Sequence, residues 1–364
     1  MQKHLTLILL FVVGITISCQ TQEKIFTLQD YYSHDSALAK AVDEVYNDLS
    51  EQQRVAQMIV TSLGKLGKPY EQVEPLLKEQ KVDGIIFLSG DPEQFKNVIA
   101  SIQEMSMGFP LLMSMDAEPS LFNRRMPGTP EMKPTAELKT SDEIRAAVSA
   151  IDKTLQHVGF AHNYAPVIDV SPNNEAIGNR TLGSDSLTIV PLAISFIEET
   201  QKDQIIATAK HFPGHGRVSG DTHKKLVYID GELTEVSLYK PIIEAGVLSI
   251  MVGHIAVENN EKYNTNGMPS TLSKPIVTDL LRNEMNFKGL IITDAMNMGA
   301  VNAIPNCGVK AAEAGCDMIL MPVDELGTLN GILSEMNENE AFRNQIYDSV
   351  KRIIRAKICL RMQF

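Results

Sequence analysis

The sequence predicts an α/β protein, specifically a (β/α)8 TIM-type barrel in one catalytic domain. Three observations carry this reading. Short apolar runs recur eight times, segments with apolar residues at helical spacing separate most of them, and ionisable residues fall repeatedly where the runs end. Strands buried on both faces read as near-continuous apolar runs, and alternating them with amphipathic helices gives a parallel sheet covered on both sides. Eight such units suggest closure into a barrel; an open doubly wound sheet is the competing arrangement.

The elements follow in order. Met58–Thr61, Gly84–Leu88 and Leu111–Met115 are the first three strand-like runs. Ile144–Gln156 then places Ile144, Ala147, Val148, Ile151 and Leu155 on one helical face, ahead of the fourth run, Asn163–Asp169. Leu192–Thr200 is a similar helix before the fifth run, Ile205–Ala209. Ser237–Ala245 precedes the sixth, Leu248–Val252, and Ser273–Met285 precedes the seventh, Leu290–Thr293. Asp317–Met321 is the eighth.

A chain of 364 residues with 44% hydrophobic content can bury a core of this size. Its formal net charge is -12, and no Lys/Arg cluster interrupts the acidic balance. Nucleic-acid partners are therefore not expected, because they need basic patches.

Residues 1–18 read as an export signal. Met1–Lys3 is a short basic start, and Leu5–Ile17 is an apolar run too short for a mature membrane span. It ends at Ile17-Ser18-Cys19, which resembles a bacterial lipoprotein cleavage box, although Thr16 stands where leucine is usual. An ordinary secretory signal with a chance cysteine is the plainer alternative. On the lipoprotein reading Cys19 is acylated, and the exported protein is anchored to a bacterial membrane by lipid alone, on its periplasmic or outer side. Residues 19–40 read as a polar tether and 41–364 as the barrel, expected to work as a monomer. Cys307, Cys316 and Cys359 form no CxxC pattern and cannot all pair; Cys316, beside an apolar run, reads as a core residue.

Barrel chemistry sits at the C-terminal ends of strands and in the loops that follow. Asp116 follows the third run, Arg180 lies after the fourth, Lys210 and His211 close the fifth, His254 closes the sixth and Asp294 the seventh. The densest stretch is Lys210–His223, KHFPGHGRVSGDTH, with three histidines, an aspartate, a lysine and three glycines. Its Asp221-x-His223 pair suits a histidine oriented by a carboxylate for general acid/base work. Asp294, rigid at a strand end, suits a nucleophile. The plainer readings are an N-cap for Asp294 and a surface-loop histidine for His223. His211 and His215 also have H-x3-H spacing, but the intervening Pro213-Gly214 rules out the helix that would aim both at one metal. No metal or cofactor is expected.

KHFPGHG with a D-x-H close behind, together with RTLGSD at Arg180–Asp185, resembles glycoside hydrolase family 3, in its β-N-acetylhexosaminidase branch. NYAPVIDV (Asn163–Val170), MPSTLS (Met268–Ser273) and FKGLIITDAMNM (Phe287–Met298) extend the resemblance to roughly residues 45–360. It implies Asp294 as nucleophile, His223 as acid/base and Asp221 as its dyad partner. It further implies Asp116, Arg124, Arg180, Lys210 and His211 as the sugar-binding set.

One departure stands out. The family's glycine-containing turn after the first aspartate is here Asp116-Ala117-Glu118-Pro119-Ser120, which leaves Arg124 and the adjacent Arg125 in competition. Members acting on glucosides generally take their acid from a second domain. With about 70 residues after Asp294, this chain is expected to supply it from the Asp221-His223 loop, which favours N-acetylglucosaminides. The implied activity is a retaining exo-β-N-acetylglucosaminidase on GlcNAc-terminated peptidoglycan fragments. A phosphorylase and a non-catalytic cell-wall-sugar-binding lipoprotein are the alternatives.

Overall fold

The structure is a computed structural model that describes residues 24–362 apart from 107–109, 171–173 and 175. The expected export signal, Cys19 and the first part of the tether lie outside the described residues. The strands are β1 (Ile59–Leu63), β2 (Gly84–Phe87), β3 (Leu112–Met115), β4 (His162–Asn163), β5 (Ile206–Phe212), β6 (Val227–Asp230), β7 (Ser249–Val252), β8 (Ile255–Glu258), β9 (Leu290–Thr293) and β10 (Ile319–Leu320). Eight of them form one parallel sheet in the order β10-β1-β2-β3-β4-β5-β7-β9. A bridge between Ile292 and Met318, with Thr293 N–H donating to Met318 O (3.1 Å), joins its edges into the barrel. All eight expected runs contribute to it.

The helices are α1 (Ser36–Asp48), α2 (Glu51–Ala56), α3 (Tyr70–Lys78), α4 (Pro92–Met105), α5 (Pro119–Arg125), α6 (Ser141–Val158), α7 (Ser186–Lys202), α8 (Tyr239–Glu244), α9 (Cys307–Ala314), α10 (Glu325–Glu338) and α11 (Glu340–Cys359), with a π-wound helix at Pro275–Glu284. Local chemistry sets their ends. In α6, Thr140 and Glu143 form a reciprocal capping box, Ile144, Val148, Ile151 and Leu155 are buried, and Gly159 at φ 102° stops the helix in the left-handed region.

Three features depart from the sequence reading. β4 is short because Pro166 has no N–H to give a ladder; the chain nevertheless stays beside β5, with Ile168 N–H donating to Lys210 O at 2.9 Å. β6 and β8 were not anticipated. They pair in parallel outside the barrel, Val227 to Ile255 through Asp230 to Glu258, and enclose a small core with Val218. This pair extends from the loops after β5 and β7 and borders the segment carrying Asp221 and His223.

The third departure is the boundary at residue 41. Phe26, Leu28, Tyr31 and Leu38 are buried, and Tyr32 Oη donates to Val247 O (2.6 Å). Arg355 donates to Tyr31 O and Ser33 O. Isolated apolar residues within a polar stretch dock it onto α11 and the barrel base. Cys307, Cys316 and Cys359 are buried and unbridged, and burial pushes the Cys316 thiol well up.

Candidate active site

A cleft at the C-terminal mouth of the barrel is lined by Asp116, Arg124, Arg180, Lys210, His211, Asp221, His223 and Asp294. The eight expected catalytic and sugar-binding residues thus converge on one place. β5 delivers two of them in succession. Side chains normally alternate across a strand, but the register of β5 on β7 shifts between Ala209 and Phe212, so Lys210 and His211 together oppose Met251. Such a bulge re-aims side chains at functional sites, and both residues reach the cleft.

Lys210 is buried between two carboxylates. Its Nζ lies 2.7 Å from Asp116 Oδ1 and 2.7 Å from Glu118 Oε1. Arg180 grips the same Glu118 with two bonds of 2.7 Å. Burial opposes charge on Glu118, Lys210 and Arg180, but mutual pairing wins. It holds the Glu118 carboxyl well below the carboxylate range, against its burial, and keeps Lys210 and Arg180 raised against theirs. The result is a fixed, ion-paired polar wall.

His211 is oriented from beneath. Its Nδ1 lies 2.7 Å from Asp169 Oδ2, while Asp169 Oδ1 accepts the His215 N–H at 2.6 Å. A carboxylate can only accept, so Nδ1 carries the hydrogen and Nε2 remains for a ligand. His215 is buried, with Nε2 3.2 Å from the Thr222 hydroxyl. Burial lowers its pKa, and its role is to hold the loop. Glu235 braces the same loop from behind, accepting the Val170 and Arg217 N–H groups; burial and then Asp169 push its carboxyl up to about 7.

Asp294 follows β9. Its N–H donates to Val252 O (2.8 Å), and its Oδ1 accepts the Ala295 N–H (2.8 Å). Burial works to raise its pKa, but His211, His254, that N–H and Lys210 outweigh it and hold the carboxyl below its ordinary value. His254 is wholly buried, its Nε2 3.0 Å from Ala295 O and its Nδ1 2.9 Å from the Thr271 hydroxyl. Burial lowers its pKa. Its Nε2 donates to Ala295 O and so fixes the turn after the nucleophile.

His223 stands at the open side. Its Nδ1 lies 2.7 Å from Asp221 Oδ1, which also accepts the His223 N–H at 2.9 Å. The histidine side chain is 64% exposed and the aspartate 18%. Partial burial acts to raise Asp221, but these two bonds prevail and hold it below its ordinary value. With Nδ1 engaged by Asp221, Nε2 is the ring nitrogen left for proton transfer, and His223 lines the cleft. Among the described residues, no group of three or more His, Cys, Asp or Glu side chains is placed to hold a metal ion.

A family model described as the glycosyl hydrolase family 3 N terminal domain matches residues 50–356. The chain belongs to glycoside hydrolase family 3. Among curated proteins it resembles Beta-hexosaminidase A of Pseudoalteromonas piscicida, 27% identical over 284 residues, which are 69% of this chain and 48% of that protein. Beta-hexosaminidase of Glaesserella parasuis serovar 5 is 27% identical over 266 residues, 69% of this chain and 76% of that protein. The chain thus spans about half the length of the first and three quarters of the second. A solved family 3 β-N-acetylglucosaminidase from Paenibacillus sp. str. FPU-7 superposes with a TM-score of 0.78 at 26% identity, covering 86% of this chain and 63% of that one. The family is one of glycoside hydrolases.

Within the family 3 cleft, the arginine beside Asp116 is Arg125 rather than Arg124. Arg125 Nη2 lies 3.5 Å from Asp116 Oδ2, and Nη1 donates to Leu88 O (2.9 Å). Arg124 also lines the cleft, but its side chain is exposed and reaches no carboxylate among the described residues. Pro119 starts α5 at once, as proline suits the first helical position. The Ser120 hydroxyl then donates to Asn179 O (2.8 Å), fixing α5 against the Arg180 segment.

Glu118 and Asp169 escaped the sequence reading. Glu118 had a usable signal: two residues beyond Asp116 in extended chain, it shares that residue's face. Asp169 closes an apolar run and offered no signal beyond that position.

Proposed function

We propose that this family 3 protein is a retaining exo-β-N-acetylglucosaminidase. The observation that carries the reading is the pairing, across one cleft, of a carboxylate kept ionised (Asp294) with a carboxylate-oriented histidine (Asp221-His223). The names of the relatives, β-hexosaminidase and β-N-acetylglucosaminidase, agree with it.

In the first step an Asp294 oxygen bonds to the anomeric carbon while the glycosidic C–O bond breaks, and protonated His223 gives its proton to the departing oxygen. In the second, now-neutral His223 takes a proton from water. The water oxygen bonds to the anomeric carbon, Asp294 leaves as carboxylate, and GlcNAc is released with its configuration retained. Asp221 stabilises the imidazolium of the resting acid. Asp116, Lys210, Arg180 and His211 hold sugar hydroxyls, with Glu118 keeping the two cations in place. A preformed set of charges pays no reorganisation cost as the transition state develops.

The substrates proposed are peptidoglycan fragments ending in β-linked GlcNAc, met by an exported, lipid-anchored monomer. Hydrolysis of an aryl β-GlcNAc substrate, followed by NMR of the first sugar anomer, tests the core of this. The reading expects the β anomer first and loss of turnover in Asp294→Ala. Unchanged turnover in Asp294→Ala would falsify it.

A further inference from the structure

The segment that carries His223 is bonded directly to the turn that follows Asp294. Gly299 N–H donates to His223 O at 3.1 Å, and Ala300 N–H donates to Thr222 O at 3.2 Å. The turn is itself braced, since Met298 N–H donates to Ala295 O (3.1 Å) and Asn302 N–H to Met298 O (3.0 Å). On the other side, Thr222 is buried against His215. The acid/base backbone is therefore held between the β5 loop and the nucleophile's own turn.

Only glycine permits this approach. A Cβ at position 299 would lie 2.6 Å from Lys224 O and 2.9 Å from His223 O. Both are backbone atoms, so relief requires the segment of residues 222–224 and the turn at 299 to separate. The φ of Gly299 is not in the left-handed region, unlike those of Gly214 (133°) and Gly220 (109°) in the same neighbourhood. The glycine is needed for space and not for backbone conformation.

We propose that Gly299 is a positioning residue for the acid/base. By letting the nucleophile's turn clamp the Thr222–Lys224 backbone, it sets where the His223 imidazole stands relative to the bond that Asp294 attacks. The inference rests on the roles of Asp294 and His223 given above. A side chain at 299 displaces His223 and leaves Asp294, held by Val252 O and Ala295 N–H, where it is. The loss then depends on how much the leaving group needs a proton.

The test compares kcat/KM, which reports the first step, for 2,4-dinitrophenyl, 4-nitrophenyl and 4-methylumbelliferyl β-GlcNAc in wild type, Gly299→Ala, His223→Ala and the double variant. Dinitrophenolate leaves without a proton; methylumbelliferone, the poorest leaving group, needs one. Gly299→Ala is expected to lower kcat/KM on the poorest leaving group by on the order of tenfold, a part of the ~10²–10⁴-fold that acid catalysis supplies, and to spare the dinitrophenyl substrate. Added to His223→Ala, it is expected to cost nothing more, because the two act through one group. Ala300→Pro, which removes the second donor without bulk at 299, should give the same pattern and serves if Gly299→Ala does not fold. An equal loss on all three substrates, additivity with His223→Ala, or no loss would each overturn the proposal. If His223→Ala itself shows no leaving-group dependence, it is the acid/base reading that fails, whatever Gly299→Ala does.

Discussion

Lys210 Nζ stands 2.7 Å from Asp116 and 2.7 Å from Glu118, out of water between two carboxylates from one short segment. A buried ion pair adds little net stability, but removing one partner leaves uncompensated charge. Lys210→Met should therefore lower unfolding free energy by on the order of 3 kcal/mol and raise KM for an aryl β-GlcNAc. Denaturant melts and steady-state kinetics on the same preparation check both. Unchanged stability would mean that the pair is not formed.

Which of Arg124 and Arg125 serves the sugar site is directly measurable. Arg125 holds Asp116 and the Leu88 carbonyl, and hydrogen bonds to charged groups contribute ~1.5–3 kcal/mol. Arg125→Ala should reduce kcat/KM on the order of tenfold or more, and Arg124→Ala should change it little. The reverse ranking would restore Arg124 as the sugar-site arginine.

Asp294 must be ionised to attack. Its folded pKa is depressed despite burial, so activity tied to it persists as pH falls through the ordinary carboxylate range and is lost below. His211 is the first of the neighbours that depress it. Replacing His211 with Asn leaves burial less opposed, so the acid limb of the kcat/KM profile should move to higher pH. A limb that stays in place would show that another group limits the rate there.

Asp152 on α6 is buried beside Thr200, and burial, then Asp203, raises its carboxyl to about 8. The unfolded chain releases this proton near ~3.9, whereas the fold holds it up to about 8. Between those values the unfolded state binds fewer protons, so stability falls as pH rises. Asp152→Asn should stabilise the protein by on the order of 1–3 kcal/mol at neutral pH, with the gain fading near pH ~4. Thermal melts across pH report it.

The barrel was legible because its strands are buried on both faces, which leaves unbroken apolar runs such as Leu290–Thr293. The placement of Asp294 and Lys210 followed from those runs, since strand ends are where barrel chemistry gathers. β6 and β8 were illegible for the opposite reason. Val227, Tyr228 and Ile229 form a short, half-exposed pair whose partner lies in another loop, and no local pattern announces that. Glu118 and Asp169 are support residues, identifiable only once folding brings Lys210 and His211 against them. The Arg124/Arg125 choice turned on helix α5 starting at Pro119, a matter of rotation along a helix that residue spacing alone leaves open. The docking of residues 26–38 depends on a few scattered apolar side chains that a polar average hides.

The central claim is that Asp294 forms a covalent bond to the sugar, and trapping that bond tests it most directly. His223→Ala slows the second step, so enzyme quenched during turnover of 2,4-dinitrophenyl β-GlcNAc should carry one N-acetylhexosaminyl group by intact mass. Peptide mapping should place it on Asp294. An adduct on another residue, or turnover at the wild-type rate with no adduct, would contradict the account.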